Sequence, residues 1–301
     1  MKRTCVALLI IGLSLSAFSQ RRMIIHNHDG TKDFRYLSTV DSLTFSDTLM
    51  VPVAGGTFTA GSTLVTISSF NIDKYEVTYE FWTAVRNWAL THGYIDLVAG
   101  QNGYSPNGTN NPVIGVNWCD VVKWCNARSE KEGLTPVYYT RSAQDTVYRT
   151  GQIDINIDAV KWNANGYRLP TEAEWEFAAR GGNLTHGYTY SGSINASDVA
   201  WYAVNSGITT HTIGMKSANE LGIYDMSGNV MEWCWDWYDD AGGAYPSGGT
   251  SDPKGPSTVQ TYRFLRGGMF AGGDFYCRVD FRNYNDPHSR SFYCGLRCVQ
   301  D

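Results

Sequence analysis

A lone cysteine near a glycine-rich turn is the side chain best placed to do chemistry in this sequence. The turn is Arg266-Gly267-Gly268, and Cys277 follows it within an aromatic- and arginine-rich stretch, residues 263–298. A thiol attacks a substrate or binds a metal as its thiolate, which needs an activating neighbour. We identify no base beside Cys277 in the sequence, which favours an inert thiol over a nucleophile.

Other signatures of catalysis and metal binding are missing from the sequence. The chain has no pair of cysteines at CxxC spacing, so a zinc ribbon has no support. Its 6 histidines are scattered and do not have the spacing of an iron-binding facial triad. A nucleophile elbow is also missing, which removes the usual sign of a serine hydrolase.

The amino-acid composition restricts the classes of protein to which the chain can belong. Hydrophobic residues make up 43% of the 301 residues and aromatic residues 14%, which is enough for a packed core. The 31 glycines predict many tight turns. The net charge is -5 and we find no basic stripe, so nucleic acid is excluded as an expected partner.

The first twenty residues have the pattern of a cleaved signal peptide. A basic start, an apolar run and small residues before Gln20 predict export to the periplasm, the outer surface or the medium. No other long apolar stretch follows, so we expect no integral membrane span after signal removal. Cys5 leaves with the signal, and the six remaining cysteines can form disulfides in an oxidising compartment.

Three regions are expected along the chain: the signal peptide at 1–20, a β-hairpin module at 21–48 and one large domain at 49–301. Asp29-Gly30 between two β-prone runs predicts the hairpin turn. The hairpin resembles a short N-terminal module common in exported proteins of the Bacteroidetes.

Few and short helices are predicted in the large domain. Thr78 is expected to cap the first helix, and the apolar spacing over 118–131 predicts a second, with one apolar face. Thr171 and Glu174 form a capping box for a third helix. Residues 137–161 are predicted to form a series of short strands. Few helices among many glycine-rich loops indicate an α+β fold.

Four segments, taken together and in order, are typical of one known family. They are VPVAGGTFTAGS with VTISSFNIDKYEVTYEFW, then PVIGVNWCDVVKWCN, then NGYRLPTEAEWEFAARGG, then GIYDMSGNVMEW followed by the stretch from Arg266 to Cys298. This order resembles the sulfatase-modifying-factor superfamily, whose founder is the formylglycine-generating enzyme. The resemblance implies an α+β, loop-rich fold, an elaborated C-type-lectin-like architecture with a surface cleft.

The resemblance also implies a copper site that this sequence lacks in part. The oxidase of the family holds copper(I) between two thiolates, and soft thiolates suit that ion. The second thiolate position matches Cys277, whereas the first matches Gly272, which offers no ligand. A serine of the oxidase is replaced by Met269. Copper is therefore not expected, and Cys277 remains as the sole catalytic candidate.

One disulfide and one calcium site are implied by the resemblance as well. Cys125 and Cys298 match positions that are joined in the founder; the alternative is two free buried thiols. The implied calcium ligands are three backbone carbonyls and one carboxylate, those of Ser227, Gly228, Val230 and Glu232. Such hard oxygen ligands suit calcium, and the alternative is a turn ordered by hydrogen bonds alone. One further disulfide among Cys119, Cys234, Cys277 and Cys294 stays open.

The region after the calcium-like turn is rich in tryptophan and aspartate. Trp233, Trp235 and Trp237 alternate as on one strand face, which favours core packing over a carbohydrate-stacking platform. Asp236, Asp239 and Asp240 are predicted to form a solvated acidic rim. Four arginines are expected to tie loops together through carboxylates and carbonyls: Arg278, Arg282, Arg290 and Arg297.

The sequence thus favours an exported binding or assembly module without oxidase activity. Its cleft is expected near Trp233, Met269 and Gly272 and would hold a protein, peptide or glycan. The alternative is an oxidoreductase of the same superfamily that acts on a protein cysteine or uses another metal. The sequence leaves open whether the protein is an enzyme.

Overall fold

Two units make up the chain, residues 1–47 and 48–301. The structure is a computed structural model and describes residues 22–26, 32–36, 50–105, 108, 110–239, 245 and 249–301. In the first unit, strand β1 (Arg22–His26) pairs antiparallel with β2 (Lys32–Tyr36), as the sequence predicts. The predicted signal segment and the turn at Asp29-Gly30 lie outside the described residues.

Short strands form the sheets of the second unit. A three-stranded sheet has the order β14-β6-β3, another has the order β10-β5-β4, and a four-stranded sheet has the order β12-β11-β9-β13. A two-stranded pair joins β7 and β8. The strand bounds are β3 Met50–Val53, β4 Gly56–Ala60, β5 Thr63–Ile67, β6 Phe70–Asp73, β7 Gln101–Asn102, β8 Val113–Ile114, β9 Met231–Tyr238, β10 Thr250–Ser251, β11 Tyr262–Arg266, β12 Asn283–Asn285, β13 Cys294–Gly295 and β14 Val299–Gln300.

The predicted helix starts are confirmed. The Thr78 side chain accepts a hydrogen bond from the Phe81 N–H, and Thr171 and Glu174 cap each other reciprocally. The helices are α1 Tyr79–Ala89, α2 Trp118–Lys131, α3 Glu172–Ala179 and α4 Ala196–Val199, with 3-10 turns at Ile157–Ala159, Gly182–Leu184 and Asp274–Cys277. No helix in the described part of the chain is long and apolar enough to cross a membrane.

The predicted apolar face of helix α2 packs in the core, and the structure adds that the rest of the helix is buried almost all round as well. Three of its charged residues, Asp120, Lys123 and Arg128, are buried, and each has a partner of opposite charge. Arg128 pairs with Asp73 at 2.9 Å and Lys123 with Asp96 at 3.0 Å. The helix is thus the centre of the domain and not a layer on its surface.

Residues 137–161 contain only isolated bridges, between Tyr138 and Val160 and between Tyr139 and Val147, and a 3-10 turn. The prediction of a series of short strands in this segment was therefore wrong. Single backbone hydrogen bonds join its parts, such as that from the Tyr139 N–H to the Ala159 carbonyl at 2.9 Å. The Asn126 side-chain carbonyl oxygen also accepts from the N–H groups of Val137 and Tyr138, each at 3.0 Å. Isolated backbone hydrogen bonds and one asparagine of the preceding helix α2 thus take the place of a regular ladder.

Strand β9 is one of the two interior strands of the four-stranded sheet, and both of its faces are buried. The core-packing interpretation of its tryptophans is confirmed, since Trp233, Trp235 and Trp237 are at most 2% exposed. The guanidinium of Arg263 lies 3.3 Å from the Trp237 ring centroid and 3.7 Å from that of Trp118. A cation between two indoles is favourable when water is excluded.

Because both faces of strand β9 are buried, two predictions about its residues were wrong. Trp233 is fully buried and its indole N–H donates to the Val116 carbonyl at 3.2 Å, so it cannot line a cleft. Asp236 is 2% exposed and is not part of a solvated rim. Its carboxylate accepts from the Glu172 N–H at 2.6 Å, and burial raises its pKa to about 8.

Candidate functional site

The glycine-rich turn leaves strand β11 at Arg266 and packs directly on Cys277. Gly267 and Gly268 have φ values of 95° and 79°, which are unfavourable for other residues. A Cβ added to Gly268 would lie 2.8 Å from the Cys277 Sγ and 2.8 Å from its Cα. Glycine is therefore required here by both its backbone conformation and the contact with the cysteine.

Cys277 itself is a buried thiol. Its neighbours in the core include Tyr190, Val199 and Tyr202, and its Sγ donates to the Gly273 carbonyl at 3.9 Å. Burial raises the pKa of the Cys277 thiol to about 12, which leaves almost no thiolate at neutral pH. The geometry fits a structural cysteine better than a nucleophile or a copper ligand.

Gly272 stands where the resemblance implies a second thiolate. A Cβ added there would lie 3.3 Å from the Met269 Cγ and 3.3 Å from the ring of Tyr276. The space beside Gly272 is thus flanked by the side chains of Met269 and Tyr276. They offer a thioether and an aromatic ring but no thiolate. A linear bis-thiolate copper site needs two sulfurs, and the donor set at this loop does not fit it.

The turn at Ser227-Gly228-Asn229 docks on the glycine-rich turn and fixes its position. The Gly228 N–H donates to the Gly267 carbonyl at 2.7 Å, and the Ser227 hydroxyl donates to the Cys277 carbonyl at 2.7 Å. Sequence reasoning missed the residue that anchors this pair of turns, Glu76. Its carboxylate accepts from the Asn229 side-chain amide at 2.6 Å and from the Val230 N–H at 3.1 Å.

The carboxylate implied as a calcium ligand is already paired with a cation. Glu232 accepts from Arg297 through both oxygens, each at 2.7 Å, and from the Trp175 indole N–H at 2.7 Å. A carboxylate held in this way does not fit a bound calcium ion while Arg297 stays in place. Calcium at Ser227, Gly228 and Val230 remains a prediction that rests on the resemblance.

The implied disulfide positions come together in the core. The sulfurs of Cys125 and Cys298 lie 3.6 Å apart, and both residues are buried. For the other thiols the structure records different neighbours. The Cys119 Sγ lies 3.8 Å from a nitrogen of His288, and the Cys234 Sγ donates to the Glu232 carbonyl at 3.9 Å.

The four C-terminal arginines hold loops, as predicted. Each makes an ion pair: Arg278 with Asp280, Arg282 with Glu172, Arg290 with Asp120 and Arg297 with Glu232, at 2.7 to 2.9 Å. Arg266 adds a fully buried pair to Glu176 at 2.5 Å and donates to the Val279 carbonyl at 2.7 Å. These contacts make the base of the loops rigid.

An aromatic surface surrounds the loop Met269–Gly272. Six aromatic side chains in the described part of the chain are 39% to 58% exposed, and five of them flank this loop. We call these five the aromatic surface: Tyr104, Phe275, Tyr276, Phe292 and Tyr293. The sixth, Tyr284, packs elsewhere against Tyr238 and Tyr262.

Contacts between rings show that the aromatic surface is continuous with the loop. The buried ring of Phe270 lies 5.3 Å from the Tyr104 ring and 5.5 Å from the Tyr293 ring. Tyr104 in turn lies 6.2 Å from Phe292. Tyr276 reaches Gly272 and contacts Phe275 at 5.9 Å. Exposed apolar area gathered in one place commonly marks an interaction site.

Comparisons with known proteins identify the family to which this fold belongs. The family model described as the sulfatase-modifying factor enzyme 1-like domain matches residues 38–301. A protein of Paenibacillus barcinonensis named chaperone protein LppX is 37% identical over 291 residues, covering 87% of this chain and 92% of its own length. The formylglycine-generating enzyme of Streptomyces coelicolor is 37% identical over 174 residues, covering 50% of this chain and 54% of its own.

A solved structure shares the architecture. The one titled Treponema denticola variable protein 1 superposes with a TM-score of 0.69 at 32% identity, covering 84% of this chain and 95% of its own. The predicted α+β fold, loop-rich with few short helices, is confirmed. The chain spans about half the length of the Streptomyces enzyme, so that enzyme's activity does not transfer with the fold.

Proposed function

The chain belongs to the sulfatase-modifying factor enzyme 1-like family, and from that premise we propose that it binds partner polypeptides and does not oxidise cysteine with copper. The observation that carries the proposal is the aromatic surface around Met269–Gly272. It lies where the resemblance implies the oxidase cleft, and it offers rings in place of a second thiolate.

An apolar, partly extended polypeptide suits this surface. Tyrosine and phenylalanine bury large areas, and pairs of aromatic rings contribute about 0.5–1.5 kcal/mol beyond that burial. The hydroxyls of Tyr104, Tyr276 and Tyr293 add hydrogen-bonding groups for a peptide backbone. The relative named as a chaperone supports a protein partner over a glycan.

Export is part of the same proposal. It rests on the signal-like pattern of residues 1–20 and on the neighbouring thiols of Cys125 and Cys298, which an oxidising compartment would join. The alternative function, an oxidoreductase that acts on a protein cysteine, would need an accessible thiolate. Cys277 is fully buried with a raised pKa, so nothing at this site favours that alternative.

The test is binding to a chronically unfolded polypeptide. With fluorescein-labelled, reduced and carboxymethylated α-lactalbumin as the probe, we expect saturable binding by fluorescence anisotropy. The double variant Tyr104→Ser with Phe292→Ser should weaken it at least about tenfold, since central aromatic side chains commonly contribute ~2 kcal/mol to an interface.

The matched control is Tyr284→Ser, which removes an equally exposed ring away from the loop. It should change the affinity by less than about twofold. Equal weakening by the control, no binding of the unfolded probe, or binding that is confined to an oligosaccharide array would each contradict the proposal.

A further inference from the structure

Three side chains from distant parts of the chain meet at the start of helix α2. They are Cys119 in the first turn of the helix, Asp154 in the loop before the 3-10 turn Ile157–Ala159, and His288 in the C-terminal loop. One ligand atom from each lies within 4.8 Å of the other two. We infer that Cys119, Asp154 and His288 bind a single zinc ion, a site separate from the aromatic surface.

The distances are close to those of a zinc site. The Cys119 Sγ lies 3.8 Å from the His288 Nδ1, and the His288 Nε2 lies 3.2 Å from an Asp154 oxygen. Bond lengths near 2.0–2.3 Å put neighbouring ligand atoms of a tetrahedral zinc about 3.3–3.8 Å apart. Since the two contacts use different ring nitrogens, the imidazole must turn so that one nitrogen faces both partners.

That adjustment is available to the two exposed ligands. The side chains of His288 and Asp154 are 39% and 36% exposed, and both belong to loops. The cysteine is fixed, because Cys119 is fully buried in a long helix. The ion would therefore approach from the solvent side and bind to a fixed sulfur and two partly exposed partners.

The types of donor select zinc over the alkaline-earth ions. A thiolate, an imidazole and a carboxylate form the mixed sulfur, nitrogen and oxygen set that Zn²⁺ takes, whereas Ca²⁺ and Mg²⁺ prefer oxygens alone. The thiolate and the carboxylate together carry two negative charges, which balance the ion. The burial of Cys119 disfavours a thiol nucleophile at this place, because a substrate carbonyl could not reach the sulfur.

A second layer of contacts holds the ligands. The side-chain oxygen of Gln152 accepts from the His288 Nδ1 at 3.0 Å, and the Asn117 side-chain amide donates to that same oxygen at 3.3 Å. Asn117 also donates to the His288 backbone carbonyl at 3.0 Å. Partners of this kind orient a metal-binding histidine, and a water is available as the fourth ligand.

Equilibrium dialysis of the mature protein against zinc chloride, with metal analysis, tests the site. We expect one zinc per chain. His288→Gln and Cys119→Ser should each weaken binding by more than about tenfold, because loss of even a supporting partner commonly costs ~10–100-fold. The matched controls, His186→Gln and Cys294→Ser, alter an exposed histidine and a buried cysteine elsewhere and should leave the affinity within about twofold.

Thermal unfolding gives a readout that is independent of any activity. Because a ligand of the folded state stabilises it by mass action, zinc should raise the Tm of the wild type and of both controls but not of His288→Gln. Absence of zinc binding in the wild type, or equal binding by wild type, His288→Gln and Cys119→Ser, would overturn the inference. Neither outcome depends on whether the aromatic surface binds polypeptides.

Discussion

Replacement of Arg297 by methionine is expected to lower the free energy of unfolding by about 3–5 kcal/mol, the usual cost of removing one partner of a buried ion pair. Arg297 is fully buried and holds both oxygens of Glu232. It also donates to the backbone carbonyls of Asp73 at 3.0 Å and Tyr224 at 2.9 Å. Methionine fills similar volume but leaves Glu232 without its cation.

Neighbouring carboxylates make this loss larger. Burial raises the pKa of Glu76, and the nearby carboxylates of Asp225 and Glu232 raise it further, whereas Arg297 lowers it. Burial likewise raises the pKa of Asp225 to about 6, again opposed by Arg297. Without the guanidinium, three buried carboxyl groups lose a common counter-charge, and at neutral pH they must be protonated or remain charged without compensation.

Urea unfolding at pH 7 measures the effect, and Arg278→Met is the control. Arg278 pairs with Asp280 at the surface, where such pairs contribute about 0–1 kcal/mol. Adding Glu232→Gln to the Arg297 variant should recover part of the loss, because it removes the unpaired charge. If Arg297→Met is no more destabilising than Arg278→Met, the buried network does not hold the two turns together.

Oxidation is expected to join Cys125 to Cys298 and to raise the stability by about 5 kcal/mol in the chain-entropy model. The two sulfurs lie 3.6 Å apart, and 173 residues separate them in sequence. Closing so long a loop restricts the unfolded chain strongly. The bond would link helix α2 to the C-terminal segment just before β14.

Peptide mapping under non-reducing conditions identifies the pair, and unfolding with and without a reductant gives its contribution. The dependence of the Tm on reductant should vanish in Cys298→Ala and persist in Cys294→Ala, which removes a buried thiol outside the pair. Recovery of both cysteines as free thiols from air-oxidised protein would contradict this prediction.

Local hydrogen bonds explain why parts of the fold could be predicted from the sequence. Thr78 and the pair Thr171 and Glu174 mark helix starts because a cap satisfies N–H groups within three residues. The family resemblance also predicted the loop-rich fold, because four segments follow one another in the order typical of that family. Strand β9 shows where such reasoning fails: alternation gives one face to Trp233 and the other to Asp236, yet the strand is interior and both faces are buried.

The candidate site was less predictable because distant segments build it. Tyr104 contacts both Phe292 and Phe270, although nearly two hundred residues separate it from Phe292. The adjacent aromatic pairs Phe275-Tyr276 and Phe292-Tyr293 are the local signals of an exposed patch. Likewise, no spacing rule joins Cys119 to His288, which lie 169 residues apart. Contacts of this kind depend on tertiary structure alone.

Oxygen uptake in the presence of copper(I) and a cysteine-containing sulfatase peptide separates a binding module from an oxidase most directly. Because Gly272 supplies no ligand and Cys277 is buried, we predict that the wild type consumes no more oxygen than Cys277→Ser under the same conditions. Copper-dependent oxygen uptake with aldehyde formation on the peptide, abolished by Cys277→Ser, would show that a single sulfur at this loop is enough for the oxidase reaction and would contradict the proposed function.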